Sequence, residues 1–331
     1  MKNSIIQSEN LRKKMRHSSF ASLFGIICMI ITFAILVQIN NSVFLSKVNI
    51  LNILKQVVVY GLLSLAMAVP LINGTFDMSI SSIAALSGIL AGLMCTTGLY
   101  GIYLSFWPAV IAAILISCIV GLINGLIVTY TKISAFIVTL GTQTAVRGIV
   151  YIICENKPVG NLPNEFSVIG FNSLLGIPIS VLIMIAVFVL MAIVLKRTSF
   201  GRKIYANGGN YTAAYQSGIN VKQVRVFAYI ISAALAAVAG ILLTARSGSA
   251  QPTAANGYES VAISTCAMGG IAMHGGAGSV FGIFLGSIMM GMISNGMNLM
   301  KIESNWQLVV RGVILIVSVL YSQIISKRTA K

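Results

Sequence analysis

The polar segment "FGRKIYANGGNYTAAYQSGIN", residues 200–220, lies between two long apolar stretches, 177–195 and 224–245. It gathers glycines, amides, tyrosines and basic residues in a chain that is 57% hydrophobic and only 8% charged. Each flanking stretch has roughly the 20 apolar residues that a helix needs to cross a lipid bilayer. The pattern therefore predicts a polar loop that connects two membrane-spanning helices.

The overall composition excludes a soluble domain. The chain of 331 residues has a mean hydropathy of +0.94 and carries 22 Lys and Arg against 6 Asp and Glu. In a soluble domain about a quarter of the residues are charged. The net charge of +16 does not indicate a nucleic-acid-binding protein, because the basic residues fall between apolar runs and form no continuous patch.

About ten segments are apolar and long enough to count as membrane-spanning helices. We therefore expect an all-α polytopic membrane protein, with a transmembrane domain at 20–326 between tails at 1–19 and 327–331. Basic residues concentrate in the tails and in the loop 196–223, so the positive-inside rule places these parts in the cytoplasm. The expected spans are 20–40, 53–72, 78–97, 107–130, 134–154, 177–195, 224–245, 257–272, 279–299 and 306–326, of which the second and eighth are the weakest.

Two segments of the chain resemble each other. "NGLIVTYTKISAFIVTLGTQTAVRGIV" begins at Asn124 and "NGMNLMKIESNWQLVVRGVIL" begins at Asn295, and both contain Asn-Gly, Lys-Ile and Val-Arg-Gly in that order. Aligning them requires a gap, and a chance match is the alternative. Two halves of five helices each would have opposite orientations in the membrane, which is a recurrent transporter architecture.

The Val-Arg-Gly motifs place Arg147 and Arg311 inside expected spans. An arginine at the centre of a bilayer costs about 2.5–3.5 kcal/mol on the translocon-insertion scale. Either these side chains face a polar pathway or a protein interface, or they lie near helix ends and extend to the lipid headgroups. The sequence leaves both interpretations open.

Asp77 stands at the mouth of the third expected span, in "NGTFDMSISSIAALSG", and is followed closely by Ser79. A carboxylate before a helix accepts hydrogen bonds from free backbone N–H groups and favours the positive end of the helix dipole. Direct contact with a transported substrate is the other interpretation. Asp77 and Ser79 are therefore candidate helix-capping or pathway residues.

Neither a metal site nor a catalytic site is expected. The five cysteines have no paired spacing and the two histidines, His17 and His274, lie far apart. The glycine-rich segment 269–282 lacks the Gly-Lys-Ser/Thr sequence of a phosphate-binding loop, so we interpret its glycines as packing and turn residues. No Ser-His-Asp set, His-Glu-x-x-His motif or aspartate pair is present, and we expect no enzymatic activity.

The polar loop at residues 200–220 is predicted to contain a short helix. Asn210 is a suitable N-cap, Ala213 and Ala214 favour a helix, and Gly218 is a suitable terminator. Glycines 208 and 209 are predicted to form a sharp turn before it. With basic residues and tyrosines around it, this helix has the composition of a protein docking surface, or of an interfacial helix on anionic lipid.

Several motifs together resemble one family, the membrane permeases of ribose-type ATP-binding-cassette (ABC) importers. The loop "KRTSFGRKIYANGGNYTAAYQSGIN" is the most extensive of these motifs. The others occur in the order of the family: "FDMSISSIAALSG", "ISAFIVTLGTQTAVRG", "TARSGSAQPTAANGYE" and "GSVFGIFLGSIMMGMISNGMNLM". The resemblance covers about residues 50–325. Two departures are Ser260 and Val261, where the family usually has Leu-Asp, and 274–277, where it commonly has a basic residue.

The resemblance implies a transport subunit for a simple sugar in the bacterial inner membrane. Its implied partners are a second permease copy or paralogue, a cytoplasmic ATPase that binds the ATP, and an extracytoplasmic sugar-binding protein. In this family the loop carries the helix that seats in the ATPase. The implied coupling residues are Gly201, Arg202, Tyr205, Gly208, Gly209, Asn210, Ala213, Ala214 and Gly218.

The main alternative is an ion-coupled secondary transporter of a small polar solute. Such a transporter normally carries protons or cations on buried carboxylates. Asp77 is the one candidate, and its place near the end of a span makes this alternative the weaker of the two.

Overall fold

The computed structural model describes residues 25–329, and these form a bundle of helices. The expected N-terminal tail and the first residues of the first expected span lie outside the described residues. Most of the expected C-terminal tail is helical, because the last helix continues to Thr329. The helices are α1 Gly25–Asn40, α2 Lys47–Ile72, α3 Ile80–Cys95, α4 Phe106–Tyr130, α5 Ala135–Ile153, α6 Asn164–Phe171, α7 Ile179–Arg197, α8 Ser199–Gly209, α9 Tyr211–Gln216, α10 Val221–Ser247, α11 Tyr258–Met268, α12 Val280–Leu299 and α13 Ser304–Thr329.

Each expected span overlaps one of these helices, although not all of them are long enough to cross a membrane. Six described helices, namely α2, α4, α5, α7, α10 and α12, are long and apolar enough to cross a membrane. The described parts of α1 and α13 and the whole of α3 are shorter apolar helices. The chain is thus an all-α polytopic membrane protein. The span expected to be weak at 53–72 is part of a helix of 26 residues, whereas the one at 257–272 is reduced to the 11 residues of α11.

Two helices, α10 and α2, form the centre of the bundle. α10 contacts α2, α3 and α4, while α2 contacts α11 and α12. Small residues allow the backbones to approach closely. A methyl group at Gly121 of α4 would meet the Tyr229 carbonyl and the Ala233 side chain of α10 at 2.6 Å. The short helices α3 and α11 are almost wholly buried among these longer helices, which explains how they escape contact with lipid.

The ends of α10 follow from its sequence. The Asn220 side chain accepts a hydrogen bond from the backbone N–H of Gln223, which satisfies one of the free donors of the first turn. The helix ends at Gly248, whose φ of 68° lies in the left-handed region that glycine adopts without a steric penalty.

One small β-hairpin departs from the all-α expectation. Strand β1, Ser173–Leu174, pairs in antiparallel fashion with β2, Ile177–Pro178, between α6 and α7. The hairpin closes through Leu175 and Gly176, both with positive φ. The strands have two residues each, too short for the sequence to show an alternating pattern.

Candidate functional site: the α8–α9 loop and the buried network of Asp77

The predicted turn at glycines 208 and 209 is wrong. Both residues belong to the last turn of α8, a helix that the sequence did not predict. The chain breaks one residue later, at Asn210, whose backbone is extended with φ −158° and ψ 101°. α8 itself begins after Thr198, whose hydroxyl accepts a hydrogen bond from the Gly201 N–H at 3.2 Å.

The predicted helix cap at Asn210 is confirmed. Its side-chain oxygen accepts a hydrogen bond from the Ala213 N–H at 2.9 Å, and α9 follows directly. Gly218 comes after the end of the helix with a φ of 79°, as expected for a terminator. Ala214 is the buried residue of α9, whereas Tyr215 is 67% exposed. The helix therefore presents most of its surface away from the bundle.

Two glycines, Gly201 and Gly208, allow α8 to pack closely against the ends of α7 and α2. A methyl group at Gly201 would collide with the Leu195 carbonyl at the end of α7, and one at Gly208 would collide with the Ile72 carbonyl at the end of α2. The Ile72 carbonyl also accepts a hydrogen bond of 2.8 Å from the Gly276 N–H. Gly209 is different, because a methyl group there would lie 3.8 Å from its nearest neighbour. Three backbone segments thus meet at Gly208.

Tyr205 and Arg202 of α8 differ in their exposure and in their contacts. The hydroxyl of Tyr205 donates a hydrogen bond of 2.8 Å to the Gly278 carbonyl, so this tyrosine joins α8 to the segment 269–282. Burial raises the pKa of the Tyr205 hydroxyl above its ordinary value of 10.0. Arg202 is exposed, and its guanidinium lies 3.5 Å from the Arg197 carbonyl. Of the two, Arg202 is available to a partner.

The exposed face of the loop is basic. Arg197, Arg202 and Lys203 are exposed along α7 and α8. The Arg225 guanidinium lies 5.4 Å from the centre of the Tyr211 ring, which holds that aromatic residue beside the base of α10. The described residues contain a single ion pair, Lys157 with Glu155, far from this loop in sequence.

Asp77 is fully buried in the turn between α2 and α3. One carboxylate oxygen accepts hydrogen bonds from the Ser79 N–H at 3.1 Å and the Ser79 hydroxyl at 2.5 Å. The other accepts a hydrogen bond of 2.8 Å from the Ser232 hydroxyl of α10. Hydrogen bonding of this kind offsets the cost of burying a charge. Asp77 caps the N–H of Ser79, which is itself the N-cap residue of α3, so the capping contact lies one residue outside the helix.

The network extends from Ser79 into α4 and α5. The Asn124 amide donates to the Ser79 hydroxyl at 2.9 Å, and its carbonyl accepts a hydrogen bond of 2.6 Å from the Thr142 hydroxyl. The Met78 N–H donates to the Thr139 hydroxyl at 3.0 Å. The turn 73–79 is consequently joined to α4, α5 and α10 through side chains.

Arg147 does not extend to the lipid headgroups. Its guanidinium donates hydrogen bonds to the carbonyls of Pro252 at 2.7 Å and Ala254 at 2.9 Å, and to that of Ser81 at 3.3 Å. These contacts tie α5 to α3 and to the segment 248–257 that links α10 and α11. The side chain faces a protein interface, as one of the two sequence-based interpretations expected.

Arg311 occupies a different environment, although the two arginines share a sequence motif. It interacts electrostatically with Tyr258 at the start of α11, and no hydrogen bond joins it to another of the residues that the structure describes. The Tyr258 ring packs edge to face against Tyr60, with 5.0 Å between the centroids. Among the described residues, no hydrogen bond or ion pair joins any two of Asp77, Arg147 and Arg311 directly.

Sequence reasoning missed a contact between α8 and the turn 73–79. The Asn207 amide donates a hydrogen bond of 2.6 Å to the Asn73 side-chain carbonyl. Asn73 is 1% exposed and Asn207 is 3% exposed. Each asparagine stands beside a glycine in a segment rich in turn residues, so its composition alone gave no reason to expect burial.

The bundle of apolar helices with one polar, basic loop is that of an integral membrane protein. A family model described as branched-chain amino acid transport system, permease component, matches residues 49–319. The chain belongs to this permease family.

Curated relatives match over almost the whole chain. The ribose import permease protein RbsC of Bacillus subtilis is 36% identical over 322 residues, which cover 97% of this chain and 98% of the relative. RbsC of Haemophilus influenzae is 38% identical over 298 residues, or 89% and 90% of the two chains. The D-allose transport system permease protein AlsC of Escherichia coli is 34% identical over 304 residues, or 92% and 91%. No solved structure matches.

Proposed function

We propose that this protein is the transmembrane permease subunit of an ABC importer for a simple sugar, a ribose-like pentose or a hexose. It forms the translocation pathway and hydrolyses no ATP itself. The observation that carries the proposal is the similarity to sugar import permeases along nearly the full chain, at 34–38% identity for three such relatives. This similarity includes the α8–α9 loop.

The proposed assembly contains a second permease copy or paralogue, a cytoplasmic ATPase and an extracytoplasmic sugar-binding protein, in the bacterial inner membrane. The ATPase binds the loop 196–223. Exposed Tyr211 and Tyr215 and the basic residues of α8 supply the aromatic and cationic side chains that anchor protein interfaces. An ATPase that contacts this loop differently in its open and closed states biases the access of the permease.

The proposed topology has ten spans, two inverted halves and cytoplasmic termini. The packing of the helices supports it. In this comparison α2, α3, α4 and α5 correspond to α10, α11, α12 and α13. α2 contacts α11 and α12, and its counterpart α10 contacts α3 and α4. Likewise α3 contacts α5, and its counterpart α11 contacts α13. Such an exchange of partners is expected when α2–α5 and α10–α13 are equivalent halves related by a two-fold axis in the membrane plane.

Cysteine labelling tests this topology. In a cysteine-free background, Asn210→Cys is expected to react with a membrane-impermeant thiol reagent only after the cells are permeabilised, since α9 lies in the cytoplasm. Leu175→Cys is the matched control, because Leu175 is 96% exposed and lies in the loop on the opposite side. It should react in intact cells. Labelling of Asn210→Cys in intact cells would refute the proposed orientation.

Reconstitution tests the proposed function. The chain is placed in lipid vesicles with an ABC ATPase and a sugar-binding protein from the same organism, and uptake of radiolabelled ribose, allose and arabinose is measured. Uptake of at least one sugar should require ATP, the ATPase and the binding protein. An ion-coupled transporter would take up sugar with an ion gradient and without the ATPase, and this result would overturn the proposal.

A further inference from the structure

The contact between α8 and the turn 73–79 uses only half of its hydrogen-bonding capacity. The Asn207 amide donates to the Asn73 carbonyl at 2.6 Å. The Asn73 amide nitrogen and the Asn207 carbonyl oxygen are also buried, and neither has a partner among the described residues. A buried polar group without a hydrogen bond destabilises the arrangement that buries it.

A second buried asparagine pair shows that this is not a property of such pairs. Asn49 of α2 and Asn295 of α12 exchange two reciprocal hydrogen bonds of 2.9 Å each. Asn49 also donates to the Phe44 carbonyl at 2.7 Å. Asn49 and Asn295 are also buried, at 4% and 8% exposed, and every nitrogen and oxygen atom of their side-chain amides is hydrogen-bonded. The pair of Asn73 and Asn207 thus differs in leaving a donor and an acceptor free to take other partners.

The turn 73–79 is held more firmly at its other end. Asp77 accepts three hydrogen bonds from Ser79 and Ser232, and Ser79 accepts one from Asn124. These bonds join the end of the turn to α10 and α4. A displacement of α8 that moves the beginning of the turn therefore acts on both helices, while a single amide hydrogen bond and close backbone contact connect the turn to α8.

We propose that Asn73 and Asn207 are positioning residues of the transport cycle, and that their contact is one of two alternative arrangements. When α8 moves, the Asn73 nitrogen and the Asn207 oxygen exchange their unpaired state for new partners or water. The turn 73–79 carries the movement to α10 and α4 through Asp77. Separation of the two asparagines breaks one hydrogen bond and allows two unpaired polar groups to gain partners, which lowers the cost of the movement. The inference rests on the proposed function and names the residues through which the loop acts on the bundle.

The double variant Asn73→Leu/Asn207→Leu tests this inference in the reconstituted importer. Leucine has the same branched shape and number of side-chain heavy atoms as asparagine, although it is larger, and it removes both unpaired polar groups, so the arrangement seen here should become the more stable one. Sugar uptake per permease is expected to fall about tenfold. The reason is that the variant favours the arrangement in which residues 73 and 207 are in contact, so the other arrangement that the cycle needs is populated less often. The melting temperature of the purified complex in detergent should be unchanged or higher.

The matched control is Asn49→Leu/Asn295→Leu, which replaces the fully satisfied pair. It should transport within twofold of the unsubstituted chain if that pair is static. Unchanged uptake by the Asn73→Leu/Asn207→Leu variant, or an equal loss in both double variants, would overturn the inference. Lack of ATP-dependent uptake by the unsubstituted chain would instead refute the proposed function, and the inference with it.

A second measurement decides the matter if the leucine variant does not fold. In a cysteine-free background, Asn73→Cys and Asn207→Cys are joined by a short reducible crosslinker. Fixing the contact should reduce uptake at least tenfold, and reduction of the crosslink should restore it. Uptake that persists after complete crosslinking would show that the contact need not change during transport, and would contradict the inference.

Discussion

Replacement of Gly208 by valine is expected to abolish sugar uptake while the chain still inserts into the membrane. A Cβ atom at this position would collide with the Ile72 carbonyl oxygen and lie 2.7 Å from the Gly276 backbone nitrogen. Neither neighbour is a flexible side chain, and the Ile72 carbonyl already accepts a hydrogen bond from the Gly276 N–H. The end of α8 must therefore move away from α2, and the contact between the loop and the bundle is lost.

Gly209 provides the control for this experiment. It is the next residue of the same helix, and a methyl group there would meet nothing closer than 3.8 Å. Gly209→Ala should retain uptake within about twofold, because the added methyl group displaces no neighbour. The measurement is ATP-dependent uptake in vesicles, normalised to inserted protein. Normal uptake by Gly208→Val would show that close packing of α8 on Ile72 is not needed for transport.

The positions of the long apolar helices were predictable because hydropathy decides them, whereas α6 and α8 were not predicted. Runs of about 20 apolar residues have few structural alternatives in a membrane. Asn210 was predictable for a similar reason, since a polar residue before alanines acts locally through its own hydrogen bond to the N–H of Ala213. Each of these predictions depends on residues that are neighbours in the chain.

The conformation at Gly208 was not predictable from local sequence. Two consecutive glycines favour a turn, and the prediction followed that preference. In the structure, Gly208 lacks a side chain at a point where α8 packs against the Ile72 carbonyl. Ile72 is distant from Gly208 in the sequence. Tertiary packing overrides the intrinsic preference of glycine here, and no local pattern records the partner segment.

The partners of Asp77 were hidden for the same reason. Ser232 lies 155 residues away and the Asn124 that binds Ser79 lies 45 residues from it. Serine hydroxyls in helices also donate to the carbonyl one turn earlier, so the presence of these serines and of Asn124 did not indicate a network. The shared motif of Arg147 and Arg311 was visible, but the different surroundings of the two arginines depend on which segments pack against α5 and α13.

Replacement of Arg147 by alanine is expected to lower both stability and sugar uptake, because the segment 248–257 loses its hydrogen bonds to α5. Three carbonyls, those of Pro252, Ala254 and Ser81, lose their donor. Hydrogen bonds to charged groups contribute about 1.5–3 kcal/mol each, and a buried acceptor left without a donor adds a desolvation cost. The side chain is only partly buried, so water replaces some of the lost bonds. We expect the free energy of unfolding to fall by roughly 2–4 kcal/mol and uptake to fall by more than tenfold.

Two further variants separate this structural role from simple charge. Arg147→Lys keeps the charge but offers one ammonium group in place of a planar fork, so it can serve only part of the carbonyl set and should give an intermediate loss. Arg311→Ala removes the arginine of the matching motif, which makes no hydrogen bond to the described residues, and should lower thermal stability less. Equal thermal stability of Arg147→Ala and Arg311→Ala in detergent would contradict the assigned role of Arg147. The reason is that the three carbonyl contacts are what distinguish the two positions.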